Sequence, residues 1–206
     1  MKVLLLNGSP HENGCTARAL REMAGVLEQK GVEAEILWLG TAPIAGCTGC
    51  CACVKNGVCA IDDKVNAFAP KLLEADGVVF GSAVHYAAAT GTITAFLDRF
   101  FYTYGKKMAG KPGCCVVSCR RGGASAAFDQ LNKYFTISSM PVVSGQYWNQ
   151  VHGACPEDVE KDGEGLQTVR SLANNMAWLL SCIEAGKKAG ITFPEREKGI
   201  RTNFIR

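Results

Sequence analysis

Residues 2–20 read KVLLLNGSPHENGCTARAL: an apolar run, a loop of Gly, Ser and Pro, and then a helical pattern. The run 2–7 is continuously apolar rather than alternating, which suits a strand buried on both faces of a sheet. It stops at Asn7 and Gly8. From Cys15 onward apolar residues recur at helical spacing until Gly31 offers a stop. A doubly buried strand that passes straight into a helix is the opening of a parallel sheet, because parallel neighbours need a crossover.

The rest of the chain repeats that alternation. Further strands are predicted at 33–39 (EAEILWL), 77–84 (GVVFGSAV), 113–119 (GCCVVSC) and 140–148 (MPVVSGQYW). Helices are predicted at 15–31, 62–76, 90–104, 124–138 and 162–189, the second with acids at its start, where the helix dipole favours them. The expected class is α/β, a three-layer sandwich with helices on both faces of a parallel sheet. No repeat, low-complexity segment or long linker divides the 206 residues. One domain over 1–206 is expected, with a cysteine-rich insertion at 46–61.

Composition narrows the function classes. Hydrophobic residues make up 48% and charged residues 20%, enough for a sizeable core. A net charge of +3, with no run of five like charges, gives no footprint for nucleic acid or a membrane surface. The basic residues at 187–188 and within 195–201 read as a solvated face, the latter interleaved with acids. The opening apolar run is too short for a signal peptide or a membrane span. Eleven cysteines without an export signal predict a cytoplasmic location, where thiols stay reduced, and a metal or redox role for clustered ones.

In open parallel sheets ligands bind beyond the carboxyl ends of the strands, so the loops there hold the candidates. After the first strand come Ser9, His11, Asn13, Gly14, Cys15 and Thr16. Small and hydroxyl side chains ahead of a helix N-terminus suit a phosphate; a plain capped turn is the alternative. The loop matches neither the dinucleotide fingerprint nor the Walker pattern. After the third strand come Ala83, Val84, His85 and Tyr86, then small residues that leave room for a flat ligand. His85 also reads as an ordinary loop histidine. After the fourth come Ser118, Cys119, Arg120, Arg121 and Gly122, which suit the polar edge of a ring or a solvated turn.

The cysteines of 46–59 are spaced Cys47-x2-Cys50-x2-Cys53-x5-Cys59, with Cys51 in addition. Four thiolates on one compact loop can surround a four-iron, four-sulfur cluster. Zinc is a second reading, although overlapping pairs suit it less than two separate pairs do. Free thiols, or a disulfide between two of them, are the third. Cys114 and Cys115, inside a predicted strand, read as small hydrophobes.

GSPHENGCT (8–16), the four spaced cysteines followed by Asp62 and Asp63, and GSAVHYAAATGTITAFLDR (81–99) carry a family resemblance over residues 1–138. The chain resembles the flavodoxin-like NAD(P)H-dependent FMN reductases and, among them, the iron–sulfur flavoproteins. That resemblance implies a five-stranded sheet of order 2-1-3-4-5 with FMN at the switch point. It implies that Ser9, Asn13, Cys15 and Thr16 hold the FMN phosphate, with His11 and Gly14 in the same loop. It implies that Ala83, Val84, His85 and Tyr86, with the loop Ser118, Cys119, Arg120, Arg121 and Gly122, line the ring. The family commonly has Pro where Ala83 stands, Tyr where His85 stands, and Ser or Asn where Cys15 stands.

The implied activity is an FMN-dependent oxidoreductase with NADH or NADPH as donor, passing electrons to a small acceptor or to a 4Fe-4S cluster on Cys47, Cys50, Cys53 and Cys59. His85, Tyr86 and Arg120 are the candidates for tuning the ring and positioning substrate; no nucleophile is required. The alternative is a non-catalytic electron carrier serving a ferredoxin-like protein. A homodimer or dimer of dimers is implied, with one subunit's cluster near its partner's flavin. In YWNQVHG (147–153), His152 either reaches the site or packs.

Overall fold

The computed structural model describes residues 1–197, 199–200 and 202–204; of the mixed-charge stretch 195–201, Lys198 and Arg201 lie outside the described residues. The elements are β1 (Lys2–Asn7), α1 (Cys15–Gln29), β2 (Glu33–Trp38), α2 (Ala52–Asn56), α3 (Lys64–Glu74), β3 (Gly77–His85), β4 (Ala88–Ala89), α4 (Gly91–Tyr104), a 3-10 turn (Gly105–Met108), β5 (Gly113–Cys119), α5 (Ala124–Ile137), β6 (Gln150–His152), α6 (Pro156–Val159) and α7 (Gly163–Lys188). The sheet has six strands. Five are parallel in the order β2-β1-β3-β5-β6, and β4 is a two-residue antiparallel partner of β3. Setting β4 aside, the parallel strands follow the 2-1-3-4-5 pattern.

Each doubly buried strand sends alternate residues to opposite faces. Leu4 and Leu6 of β1, Val78 and Phe80 of β3, and Cys115 and Val117 of β5 pack against α3, α4 and α5. Val3 and Leu5, Val79, and Cys114 and Val116 pack against α1 and α7. Phe80 stacks on Phe135 with ring centroids 4.9 Å apart, joining the sheet to α5. Side-chain caps start two of the helices that cover the sheet: the Asp63 side chain accepts from the Val65 amide at α3, and Thr90 from Ile93 at α4. The apolar face of 93–104 is spent inside the core, where Ile93, Phe96, Leu97 and Phe100 are fully buried. Of residues 176–180 (MAWLL) in α7, only Trp178 is a large exposed hydrophobe.

The fifth parallel strand lies later than 140–148. Val142 makes a single parallel bridge to Gly113, and the chain then bends at Gln146 and Tyr147. Pairing resumes at Gln150–His152 against Val117–Cys119. Pro141 has no amide hydrogen to give the ladder, and Gly145 lies so close to Asn149 and Thr168 that a Cβ there would meet them at 3.0 and 3.4 Å. The edge strand is thus split, and its loop leaves Tyr147 and Trp148 exposed. Among the described residues no helix is long and apolar enough to cross a membrane.

Candidate active site

The loop after β1 is braced on three sides. The Asn7 side chain accepts from the Ser9 amide (3.0 Å) and donates to the Glu12 carbonyl (3.2 Å). Trp38, at the end of β2, donates from Nε1 to the Ser9 carbonyl (2.9 Å). Thr90, the cap of α4, donates from its hydroxyl to the Gly8 carbonyl (2.6 Å), and its amide donates to Ser82 Oγ (3.0 Å). Gly14 caps α1 without a side-chain acceptor, and no acid stands in the first turn. The positive end of α1 is therefore left open at this loop, the arrangement that receives an anion.

Four loops meet around a cleft of about 740 Å³, within the size of small-molecule sites, about 300–1,000 Å³. Ser9, Pro10, His11, Glu12, Asn13, Gly14 and Cys15 form one wall. Ala83, Val84 and His85 come from the end of β3, and Ser118, Cys119 and Arg120 from β5 and the turn after it. Gly153, Ala154, Cys155 and Pro156, after β6, complete it.

Several predicted residues stand elsewhere. Thr16 is buried behind the wall, its hydroxyl 2.8 Å from that of Ser118. Tyr86 is fully exposed at the β3–β4 turn, outside the lining, and Arg121 and Gly122 are exposed beyond it. His152 Nδ1 is 3.4 Å from Cys119 Sγ, and the His152 ring lines a separate cavity with Tyr147, Trp148 and Asp162. Burial raises the Cys15 thiol above its ordinary range. It also raises Cys119, although the Arg121 and Ala124 amides oppose it. Both sulfurs are held as neutral thiols in the cleft wall. The Gly153–Pro156 wall was hidden in the sequence, because placing the last strand at 140–148 moves the loop after it too early.

The turn Tyr86–Ala87 is backbone-strained, with φ of 49° and 59° at successive non-glycine residues. This geometry joins Val84 and His85 to Ala88 and Ala89 as a tight hairpin. Such strain is found where surrounding structure enforces it, often beside binding sites.

The cysteine loop leaves the sheet after β2 and packs on α4. Cys47, Cys50, Cys51, Cys53 and Cys59 line one concavity with Arg99, Tyr102 and Thr103. Left-handed turns at Gly49, Cys51 and Gly57 curl the chain around it. The Ala52 amide and the Thr48 side chain hold Cys50 below the ordinary thiol range. Arg99, 1% exposed, donates from Nε and Nη2 to Cys59 Sγ, both at 3.3 Å. Nothing in the spacing of the motif announced this arginine; its signal was a lone cation in the apolar run AFLDRFF.

Among the described residues no three His, Cys, Asp or Glu side chains close on a point that one metal ion would occupy. Mononuclear zinc needs four thiolates about 2.3 Å from such a point. A four-iron cluster offers each thiolate its own iron, so its ligands stand further apart. Donor number, thiol chemistry and the hydrogen-bond donor beside Cys59 fit the cluster. The size of the cleft and the open α1 N-terminus fit FMN.

A family model described as NADPH-dependent FMN reductase matches residues 1–154. An iron–sulfur flavoprotein of Methanocaldococcus jannaschii is 31% identical over 192 residues, covering 89% of this chain and all of its own. One from Methanosarcina thermophila is 25% identical over 191 residues, covering 91% and 99%. Among solved structures, RosB superposes with a TM-score of 0.71 at 14% identity, covering 100% of this chain and 92% of that one. An archaeal flavodoxin gives 0.60 at 16%, covering 88% and 99%. At those identities the structures establish the flavodoxin-like fold, which the sheet order already displays. With three-quarters of its length matched to the family and a relative aligned end to end, the chain belongs to the NADPH-dependent FMN reductase family and sits with its iron–sulfur flavoproteins.

Proposed function

We propose that the chain is an FMN-dependent oxidoreductase that takes electrons from NADH or NADPH and passes them to a small acceptor or to a 4Fe-4S cluster on Cys47, Cys50, Cys53 and Cys59. The observation that carries this reading is the four-loop cleft at the carboxyl end of the sheet, open to the uncapped amides of α1. Bound FMN would supply the exchange between two-electron and one-electron steps. The residues supply placement. Ser9, Asn13 and the amides of Gly14 and Cys15 receive the phosphate, while Thr16 holds Ser118 in place. Val84 and His85 on one side and Ser118–Arg120 on the other flank the ring. Arg120 and His85, both exposed at the rim, meet the donor or acceptor. We place the protein in the cytoplasm, as a dimer or dimer of dimers in which the cysteine loop of one subunit approaches the flavin of the next.

Protein purified without oxygen tests the reading. The expected result is a flavin spectrum with about four irons per chain, matching four thiolate ligands, and steady oxidation of NADH or NADPH. A flavin-free protein would refute the cofactor assignment. Fast reduction by ferredoxin with no nicotinamide turnover would favour the electron-carrier alternative.

A further inference from the structure

Arg99 heads the fully buried side chains by volume, set among Phe96, Leu97 and Phe100 in α4. Burying a guanidinium is unfavourable unless its donors are met, and an apolar side chain of similar size would fill the space at least as well. Here the donors are met by one segment of chain. Nη1 donates to the Ala45 carbonyl (3.2 Å) and Asp63 Oδ2 (2.6 Å). Nη2 donates to the Ile61 carbonyl (2.7 Å) and Asp63 Oδ1 (3.0 Å), and Nε and Nη2 share Cys59 Sγ. Ala45 precedes the first cysteine of the motif, while Cys59, Ile61 and Asp63 close it. A single side chain therefore holds both ends of the loop. From α3, Asn66 adds a bond to the Cys59 carbonyl at 2.9 Å.

We propose that Arg99 is a positioning residue of the cysteine loop: it clamps the two ends so that Cys47 and Cys59 face one concavity, and its paired N–H bonds to Cys59 Sγ raise the reduction potential of a cluster held there. The tuning half rests on the cluster reading given above; the clamp does not. Adding an electron to a cluster increases the negative charge on its thiolate sulfurs, so N–H donors aimed at a sulfur favour the reduced state. The fork matters as much as the charge. Lysine would bring a point charge that cannot reach both ends of the loop and the sulfur together.

The test compares wild type with Arg99→Lys and Arg99→Gln, all purified without oxygen. Bound FMN reports the intact fold. A dithionite titration followed by electron paramagnetic resonance gives the cluster potential. Hydrogen–deuterium exchange over 45–63 in iron-free protein reports the clamp. Arg99→Gln is expected to shift the one-electron equilibrium about tenfold toward the oxidised cluster, ~59 mV more negative. Arg99→Lys falls between it and wild type. Loop exchange is expected to quicken about tenfold in both. An iron-loaded variant with the wild-type potential would overturn the tuning. Unchanged exchange over 45–63 would overturn the clamp. If Arg99→Gln does not retain FMN, Arg99→Lys carries both comparisons. If wild type binds no iron, the cluster reading and the tuning fall together, and the exchange result alone decides the clamp.

Discussion

Gly123→Ala probes how the β3–β4 hairpin is held against the turn before α5. Gly123 precedes α5 with φ of 92°. A Cβ there would lie 2.7 Å from Ala87 Cα, 3.0 Å from Ala87 Cβ and 3.1 Å from Val84 Cγ1. The neighbour cannot retreat cheaply, because Ala87 is itself in a left-handed turn. The backbone conformation costs an L-residue about 1–2 kcal/mol. Overpacking against main chain adds about 1–3 kcal/mol, for a total of about 2–5 kcal/mol. A chain of this length loses about 2–4 °C of melting temperature per kcal/mol, so a fall of about 4–20 °C is expected. Relief of the clash moves the hairpin carrying Val84 and His85 away from Ser118–Arg120, and FMN affinity falls about tenfold or more. Calorimetry measures the first effect and quenching of FMN fluorescence the second. Gly91→Ala is the control: it is the first residue of α4, with no atom within 4 Å of its added Cβ and an ordinary φ. It should change stability by less than about 0.5 kcal/mol. A Gly123→Ala protein that melts within about 1 °C of wild type and binds FMN equally well would refute the reasoning.

Ser139, with φ of 56° after α5, should gain about 1 kcal/mol on replacement by glycine, seen as a melting point about 2–4 °C higher. Thr16→Val strips Ser118 of its buried partner and should cost about 1 kcal/mol in urea unfolding; an unchanged midpoint would show that the pair is idle. Glu22 joins α1 to α7, taking bonds from Arg170 (2.7 Å) and Arg18 (2.9 Å). Burial pushes its carboxyl up, but the two arginines outweigh that and hold it below the usual glutamate value. A folded value below the unfolded one means that the stabilisation is fully present well above the unfolded value, about 4.3. It is lost as pH falls through the folded value. Glu22→Gln should therefore destabilise at neutral pH by about 1 kcal/mol and flatten the acid limb of the melting profile. An acid limb as steep as wild type would reject Glu22 as its source.

Legibility varied along the chain with the kind of constraint. The strands 2–7, 77–84 and 113–119 were readable because a strand covered on both faces must be apolar throughout, and few other elements tolerate that. The loops after them followed from topology, and Ser9, Asn13, Cys15, His85 and Arg120 do line one cleft. The split edge strand was not readable. The run PVV carries the apolar signal at 141–143, yet the pairing that completes the sheet uses Gln150–His152, whose partners are chosen by register against Val117–Cys119. Thr16 and Tyr86 show a second limit. A residue type that suits a ligand can be turned inward to a neighbour or outward to solvent by one backbone dihedral.

By itself the sequence determined the layer order, the starts of the five long helices to within two residues, and the gathering of five cysteines in one loop, because these depend on local periodicity and chain proximity; the short helices α2 and α6 carried no such signal. Tertiary structure alone decided what that loop leans on. Arg99 lies 40 residues beyond Cys59, in a helix whose pattern reads as core. Only the packing of α4 under the loop brings its guanidinium to the sulfur. A buried cation must find acceptors wherever the fold supplies them, and that search runs through space rather than along the chain.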